Sequence, residues 1–343
     1  MRFVILGAGA VGGTIGGLLH DSGHDVVFVA RGAHAATMRE TGLQLRTPSR
    51  SLTVRAEVVD DPADLALHRG DVLLLATKTQ DTTALLDAVA DVTVDERPAA
   101  AALPVFCVQN GVANERMAAR RFADVHGVVV MLPAVLLEPG RIEAQGAPYS
   151  GLLDVGRWPA GTSPVDDLVA GALSASNFVS RATDDVMRWK YAKLLRNLGN
   201  AIEALCGHDG DDDEAAMAAV RDLDKRLRDE AEACFAAAGV DWVSDEEWME
   251  RRRDQVQHAP VEGRPRMGGS SWQSLARGLG SIEADYLNGE IVQLGRQYDV
   301  PTAANAVLQR LANRAAKQGA PPGSLRPQDI VRAIDDEEGS AHD

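Results

Sequence analysis

Short apolar, β-branched runs at residues 3–6, 25–30, 72–76 and 104–108 alternate with segments at 13–21, 82–89 and 115–121 whose apolar residues recur at helical spacing. Strands alternating with helices pair in parallel through right-handed crossovers, so the first half predicts a doubly wound α/β sheet. From 128 to 155 the pattern is extended and interrupted by Gly and Pro, which predicts further strands finishing that sheet. Near residue 180 the character changes. Segments 185–205, 214–238, 281–298 and 302–317 read as helices, two of them long, and predict an all-helical second domain. The expected division is 1–180 for the α/β domain, 181–320 for the helical domain and 321–343 for a polar tail. Within that tail 327–334 could form a last short helix, with Pro327 in its first turn, and 335–343 should fray. The stretch 240–269, rich in charge, Pro and Gly and carrying Trp242, Trp248, Arg251, Arg252 and Arg253, predicts a loop or a peripheral helix pair.

Composition narrows the class. A chain of 343 residues suits two domains better than one, because single cores stop growing near about 250–300 residues. With 45% hydrophobic and 25% charged residues it reads as globular. A net charge of -15 argues against a nucleic-acid partner, whose phosphates reward Lys and Arg. Cys107, Cys206 and Cys234 fit neither a zinc spacing nor a disulfide framework, and the histidines, His34 and His258 among them, have no metal-ligand spacing; reduced thiols and no metal are expected. The apolar run 3–6 is too short for a signal peptide core. The run 128–132 is stopped by Pro133, well short of the ~20 residues a membrane helix needs. A cytoplasmic protein with no membrane partner is expected.

The first strand runs into Gly7-Ala8-Gly9-Ala10-Val11-Gly12. A Gly-x-Gly-x-x-Gly that closes a strand and opens a helix is the context of a dinucleotide site. Gly7 permits the turn, Gly9 admits the pyrophosphate close to the backbone, and Gly12 lets helix pack on strand, while the helix N-terminus offers unpaired N–H groups to phosphate. This predicts a Rossmann domain. NAD enzymes place an acidic residue at the end of the second strand, roughly 20 residues on. Here the chain reads Val27-Phe28-Val29-Ala30-Arg31-Gly32, and the Arg31 guanidinium suits a 2′-phosphate, so NADPH is favoured over NADH. Lys78 and Asn110 follow the third and fourth strands, at the carboxyl ends where open α/β sheets hold ligands. Each can neighbour the ribose or nicotinamide, or serve only in a turn.

In the second half, a continuous helix over 185–205 would set Lys193, Asn197 and Asn200 within about 60° of one another, with Lys190 at the edge of the stripe. Asn is a mediocre helix residue, so two in one stripe suggest hydrogen-bonding roles in a cleft; a solvated face is the plainer alternative.

In order along the chain, the glycine fingerprint, Arg31, Lys78, Asn110-Gly111, the Lys193/Asn197/Asn200 segment, and Ser271 followed by Glu283 in Glu283-Ala284-Asp285-Tyr286-Leu287-Asn288-Gly289 resemble the ketopantoate reductase (2-dehydropantoate 2-reductase) family up to about residue 320. The resemblance implies NADPH-dependent reduction of a small 2-oxo acid, 2-dehydropantoate first. It makes Lys193 the proton donor, Glu283 the residue that orients substrate hydroxyl and lysine, Ser271 a carboxylate contact and Asn197 a substrate contact. The donor role is sound chemistry by itself, since hydride addition to a carbonyl builds negative charge on oxygen. Two features depart from the family. Asn200 lies seven residues after Lys193 where eight is usual, so either a bulge shifts the register or Lys190 shares the role. Glu203 replaces a small or hydroxylated residue, and the turn Cys206-Gly207-His208-Asp209-Gly210 lacks a further asparagine. Two other functions stay open: a reductase of a different 2-oxo acid or specialised metabolite, and an NADPH-sensing protein without turnover. Long amphipathic helices could bury a homodimer face.

Overall fold

The structure, a computed structural model, describes residues 1–207, 213–261 and 268–340. Two compact units emerge, Met1–Lys190 with Val243–Arg266, and Tyr191–Trp242 with Met267–Asp343. The first unit thus runs ten residues past the expected boundary at 180 and includes a later return of the chain. No helix among the described residues is long and apolar enough to cross a membrane.

The first unit is built on an eight-stranded sheet in the order Phe178–Val179, Gly151–Arg157, Asp124–Met131, Pro104–Cys107, Asp71–Leu75, Arg2–Leu6, Asp25–Val29, Glu57–Val59. Every pairing is parallel except that of Gly151–Arg157 with Asp124–Met131. Val4 faces Val27 on one side and Leu73 on the other, so the first strand is the point where the sheet reverses direction of growth. After the charged first residues Arg2, Asp25 and Asp71, the strands Arg2–Leu6, Asp25–Val29 and Asp71–Leu75 are apolar because both faces are covered. Phe3, Ile5, Phe28, Leu74 and Phe106 belong to one core, Val4, Leu6, Val27, Leu73 and Val105 to the other. This is the doubly wound sheet the periodicity predicts.

The stretch 128–155 does more than finish that sheet. Ala134–Glu138 and Arg141–Ala144 leave it to join Leu43–Arg46 and Ser51–Val54 in a separate four-stranded sheet. Helix Ala10–Asp21 lies between the two sheets, and its glycines make it thin enough to fit. A side-chain carbon at Gly16 would meet the Phe28 ring at 2.5 Å, and one at Gly13 would meet Ile142 of the second sheet at 2.3 Å.

In its described residues the 240–269 stretch is neither a loop alone nor a helix pair. Helix Asp245–Arg252, opened by a Ser244/Glu247 capping box, leads to strand Val256–His258, which pairs antiparallel with Gly146–Pro148. Arg251 clamps the buried Asp154 with two bonds of 2.7 and 2.6 Å, which secures this segment to the sheet. Residues 262–267 of the stretch lie outside the described residues.

The second unit is helical. Helix Glu214–Ala238 starts at Asp213, whose side chain accepts from Ala215 N, and ends at left-handed Gly239. With Asn288–Tyr298 and Ala303–Gln318 it encloses Leu223, Leu227, Phe235, Ile291 and Leu308. Two expected helices are broken. The 185–205 segment divides into Val186–Asn197 and Asn200–Cys206, and 281–298 into a 3₁₀ turn Glu283–Tyr286 and Asn288–Tyr298. The tail also differs from expectation: Pro327–Ser340 is one helix, held by the fully buried Ile330 and Ile334. Residues 341–343 lie outside the described residues, as do His208, Asp209 and Gly210 of the turn after Cys206.

Candidate active site

In the first unit, the carboxyl ends of the central strands bring together every residue expected to hold the nucleotide. Gly7 has φ +110°, a conformation that favours glycine, and a side-chain carbon there would meet Thr77. At Gly12 the same carbon would lie 2.0 Å from the Gly7 carbonyl. Gly9 is the opposite case, with nothing within 4 Å of such a carbon. It is the N-cap of helix Ala10–Asp21, and no side chain caps that end. Two closed positions around an open one, with Ala10 and Val11 following in the uncapped first turn, form a cradle that fits a pyrophosphate. Arg31 is exposed in extended backbone as the N-cap of helix Gly32–Thr41. Lys78 opens the 3₁₀ turn Thr79–Asp81.

Beneath these loops lies a buried polar network that sequence reasoning missed. Gln109 Nε2 donates to Thr77 O at 2.9 Å and to Thr82 Oγ1 at 2.8 Å. Thr82 Oγ1 donates to Asn114 Oδ1, and Asn114 Nδ2 donates to Thr79 Oγ1 and to Asn110 O. The network ties the Lys78 turn to the Asn110 turn. In sequence its members look like ordinary loop residues; only the adjacency of the third and fourth strands brings them together.

One expectation is corrected here. Lys190 does not lie on an open stripe. Its side chain is 2% exposed, Nζ is 2.6 Å from Glu115 Oε1, and it donates to the carbonyls of Gln109 (2.9 Å) and Val128 (3.3 Å). A solvent-excluded ammonium with three oxygen neighbours pins the base of the Asn110 turn.

The second unit holds Lys193, Asn197, Asn200, Ser271 and Glu283. Lys193 is half-buried, one helical turn before Asn197. Asn197 is buried, and its Nδ2 has no hydrogen-bond partner among the described residues. The break at Leu198-Gly199 explains the short spacing to Asn200: the helix does not run through, and Asn200 opens a new one. Asn288 holds the break, its Nδ2 donating to Leu198 O at 3.3 Å and to Asn305 Oδ1 at 3.1 Å. Asn305 is fastened in turn by Glu230, which accepts from Asn305 Nδ2 and from the N–H groups of Ala304 and Asn305. Burial pushes the Glu230 carboxyl above its usual range, and these hydrogen bonds counter part of that. Glu203, which could have repelled an anionic ligand, is engaged locally, and its Oε2 accepts from Gly269 N at 2.9 Å. That bond seats the start of helix Ser270–Ala276, and so the buried Ser271, beside Asn200. Glu283, which by itself reads as an exposed helix carboxylate, is 7% exposed at the head of its 3₁₀ turn.

A doubly wound sheet with an uncapped glycine cradle at its switch point defines a dinucleotide-binding α/β protein. Two family models match: "Ketopantoate reductase PanE/ApbA" over residues 3–160 and "Ketopantoate reductase PanE/ApbA C terminal" over 185–316. The chain belongs to the ketopantoate reductase family, and is an oxidoreductase that depends on a pyridine nucleotide. It is 26% identical to the 2-dehydropantoate 2-reductase of Pyrococcus horikoshii over 327 residues, 93% of this chain and 99% of that one. A PanE/ApbA family ketopantoate reductase from Ralstonia eutropha superposes with a TM-score of 0.76 at 28% identity, covering 93% of this chain and 99% of that one. A D-mandelate dehydrogenase, solved with NADH and anilino(oxo)acetate, shares the fold (TM-score 0.75, 20% identity, 93% and 99% covered).

Proposed function

We propose that the chain reduces a small 2-oxo acid with NADPH, 2-dehydropantoate to pantoate first among them. The observation that carries this reading is Asn197. An amide buried without a partner costs about 1–3 kcal/mol, so its retention one turn from Lys193 argues for a ligand that completes it. When bound, reduced nicotinamide supplies the hydride. Gly7, Gly9, Ala10, Val11 and Gly12 would hold its pyrophosphate, with Arg31 taking the 2′-phosphate and Lys78 and Asn110 the ribose and nicotinamide side. Hydride addition leaves the charge on the ketone oxygen, and Lys193 gives that oxygen its proton. Lys190 is committed to Glu115, which leaves the donor role to Lys193. Glu283 orients the lysine and the substrate hydroxyl, Ser271 meets the carboxylate, and Asn197 and Asn200 donate to the substrate oxygens. Glu203 has one carboxylate oxygen engaged by Gly269 N, which gives part of its charge a local partner.

The name of the Pyrococcus relative supports the first substrate. A second reading keeps the chemistry and changes the 2-oxo acid, because the same fold serves a D-mandelate dehydrogenase. Steady-state oxidation of NADPH and NADH with 2-dehydropantoate and a panel of 2-oxo acids decides between them. The expected result is the highest kcat/KM for NADPH with 2-dehydropantoate. Nucleotide binding without turnover of any 2-oxo acid would instead make the chain a sensor, and an unchanged rate in Lys193→Ala would remove the donor assignment.

A further inference from the structure

The Ala8 carbonyl, between the first two glycines of the cradle, lies 2.8 Å from His34 Nε2, and Gly140 N donates to His34 Nδ1 at 2.9 Å. Because Nδ1 accepts, the one proton of neutral imidazole belongs on Nε2, which makes Nε2–H the donor to Ala8. A peptide group is planar and trans, with its carbonyl and N–H on opposite sides. Holding the Ala8 oxygen against His34 therefore directs the Gly9 N–H away from His34. It also fixes the rotation of the peptide that leads into the uncapped helix end.

The anchor on the other side of the ring is firm. Gly140, at φ +78°, turns the chain between Ala134–Glu138 and Arg141–Ala144, and its carbonyl accepts from Gln44 N at 2.8 Å. A side-chain carbon at Gly140 would lie 2.5 Å from Thr37, so this turn sits directly on helix Gly32–Thr41. That helix carries His34 and begins at Arg31. We propose that His34 is a positioning residue for the nucleotide: it sets the Ala8–Gly9 peptide plane for the pyrophosphate and couples the glycine cradle to the Arg31 helix and to the second sheet. The inference rests on the reading of this end of the sheet as the nucleotide site.

The experiment measures the NADPH dissociation constant by nicotinamide fluorescence, alongside kcat and the keto-acid KM, in His34→Phe and His34→Gln. Phe keeps a ring and loses both hydrogen bonds; Gln keeps a donor and an acceptor. Phe should weaken NADPH binding about tenfold, the scale of one lost hydrogen bond, with kcat at saturation and the keto-acid KM within about twofold of the parent, and Gln should recover most of the loss. Unaltered NADPH affinity in the Phe variant, an equal loss in the Gln variant, or a matching rise in the keto-acid KM would each overturn the assignment. The unmutated protein provides a test independent of variant folding: side-chain 15N spectra should show His34 as the Nε2–H tautomer with NADPH absent and present, and the Nδ1–H tautomer would overturn it. A parent protein that binds no NADPH sinks the nucleotide site itself; a parent that binds with His34 immaterial sinks this inference alone.

Discussion

Replacing Lys190 by methionine separates the two lysines on one helix. The ion pair with Glu115 is 2.6 Å long, with side chains 2% and 0% exposed. Removing the ammonium leaves a carboxylate sealed from water, and breaking a buried pair from one side costs about 3–5 kcal/mol. The carbonyls of Gln109 and Val128 also lose a donor, which argues for the upper part of that range. At a urea slope of about 2 kcal/mol per M, the loss moves the unfolding midpoint of the first unit down by about 2 M. Amide exchange in strands Pro104–Cys107 and Asp124–Met131, which flank the pair, reads that unit separately and should accelerate together. Adding Glu115→Leu to Lys190→Met removes the orphaned charge and should restore most of the midpoint. Lys193→Met is the counterpart: its midpoint stays within about 0.5 M of the parent while kcat falls about 10²–10⁴-fold, the usual contribution of a proton donor. Should Lys190→Met keep the parent midpoint and exchange rates yet lose turnover, the pin is imaginary and Lys190 returns as the donor.

Arg31→Ala should raise the NADPH dissociation constant about 10- to 100-fold, the scale of a hydrogen bond to a charged group, and leave NADH unaffected; equal effects on both nucleotides would end the 2′-phosphate role. His126, fully buried and stacked on Phe106, lies between Asp166 (2.8 Å) and Asp124 (3.2 Å). Burial alone would depress the imidazole, but its contacts with the two carboxylates outweigh it and hold the group above its ordinary 6.5. A raised folded value means stability fully present below 6.5 and lost as pH rises through the folded pKa. Urea midpoints should therefore fall on the alkaline side, and an NMR titration of His126 centred below 6.5 would contradict this. Asn288→Ala unties Leu198 O and Asn305, and should cost the second unit about 1–3 kcal/mol while raising the keto-acid KM through Asn197 and Asn200. Urea unfolding with parallel kinetics checks it, and an unmoved KM would show that the helix break has no bearing on the substrate.

Local pattern carried a good deal of this protein. The strands at 2–6, 25–29, 71–75 and 104–107 and the helix Glu214–Ala238 are legible from the chain because burial on both sheet faces, or on one helix stripe, dictates residue type at neighbouring positions. The glycine cradle is legible for the same reason: backbone shape over six residues demands glycine where a side chain would collide. Four features needed distant partners. Lys190 looks like any helix lysine until Glu115, seventy-five positions earlier, closes over it. The helix ends at Asn197 and Asn288 takes the carbonyl of Leu198 in the break, although periodicity continues through the gap. His34 has meaning only beside Ala8 and Gly140, and Arg251 only beside Asp154. Hydrogen bonds between groups far apart in sequence leave no periodic trace in composition, since one polar residue satisfies each of them and its neighbours are free to vary. Identity of the central strands and of this long helix therefore follows from the chain alone, whereas which charges are sealed depends on what folds over them.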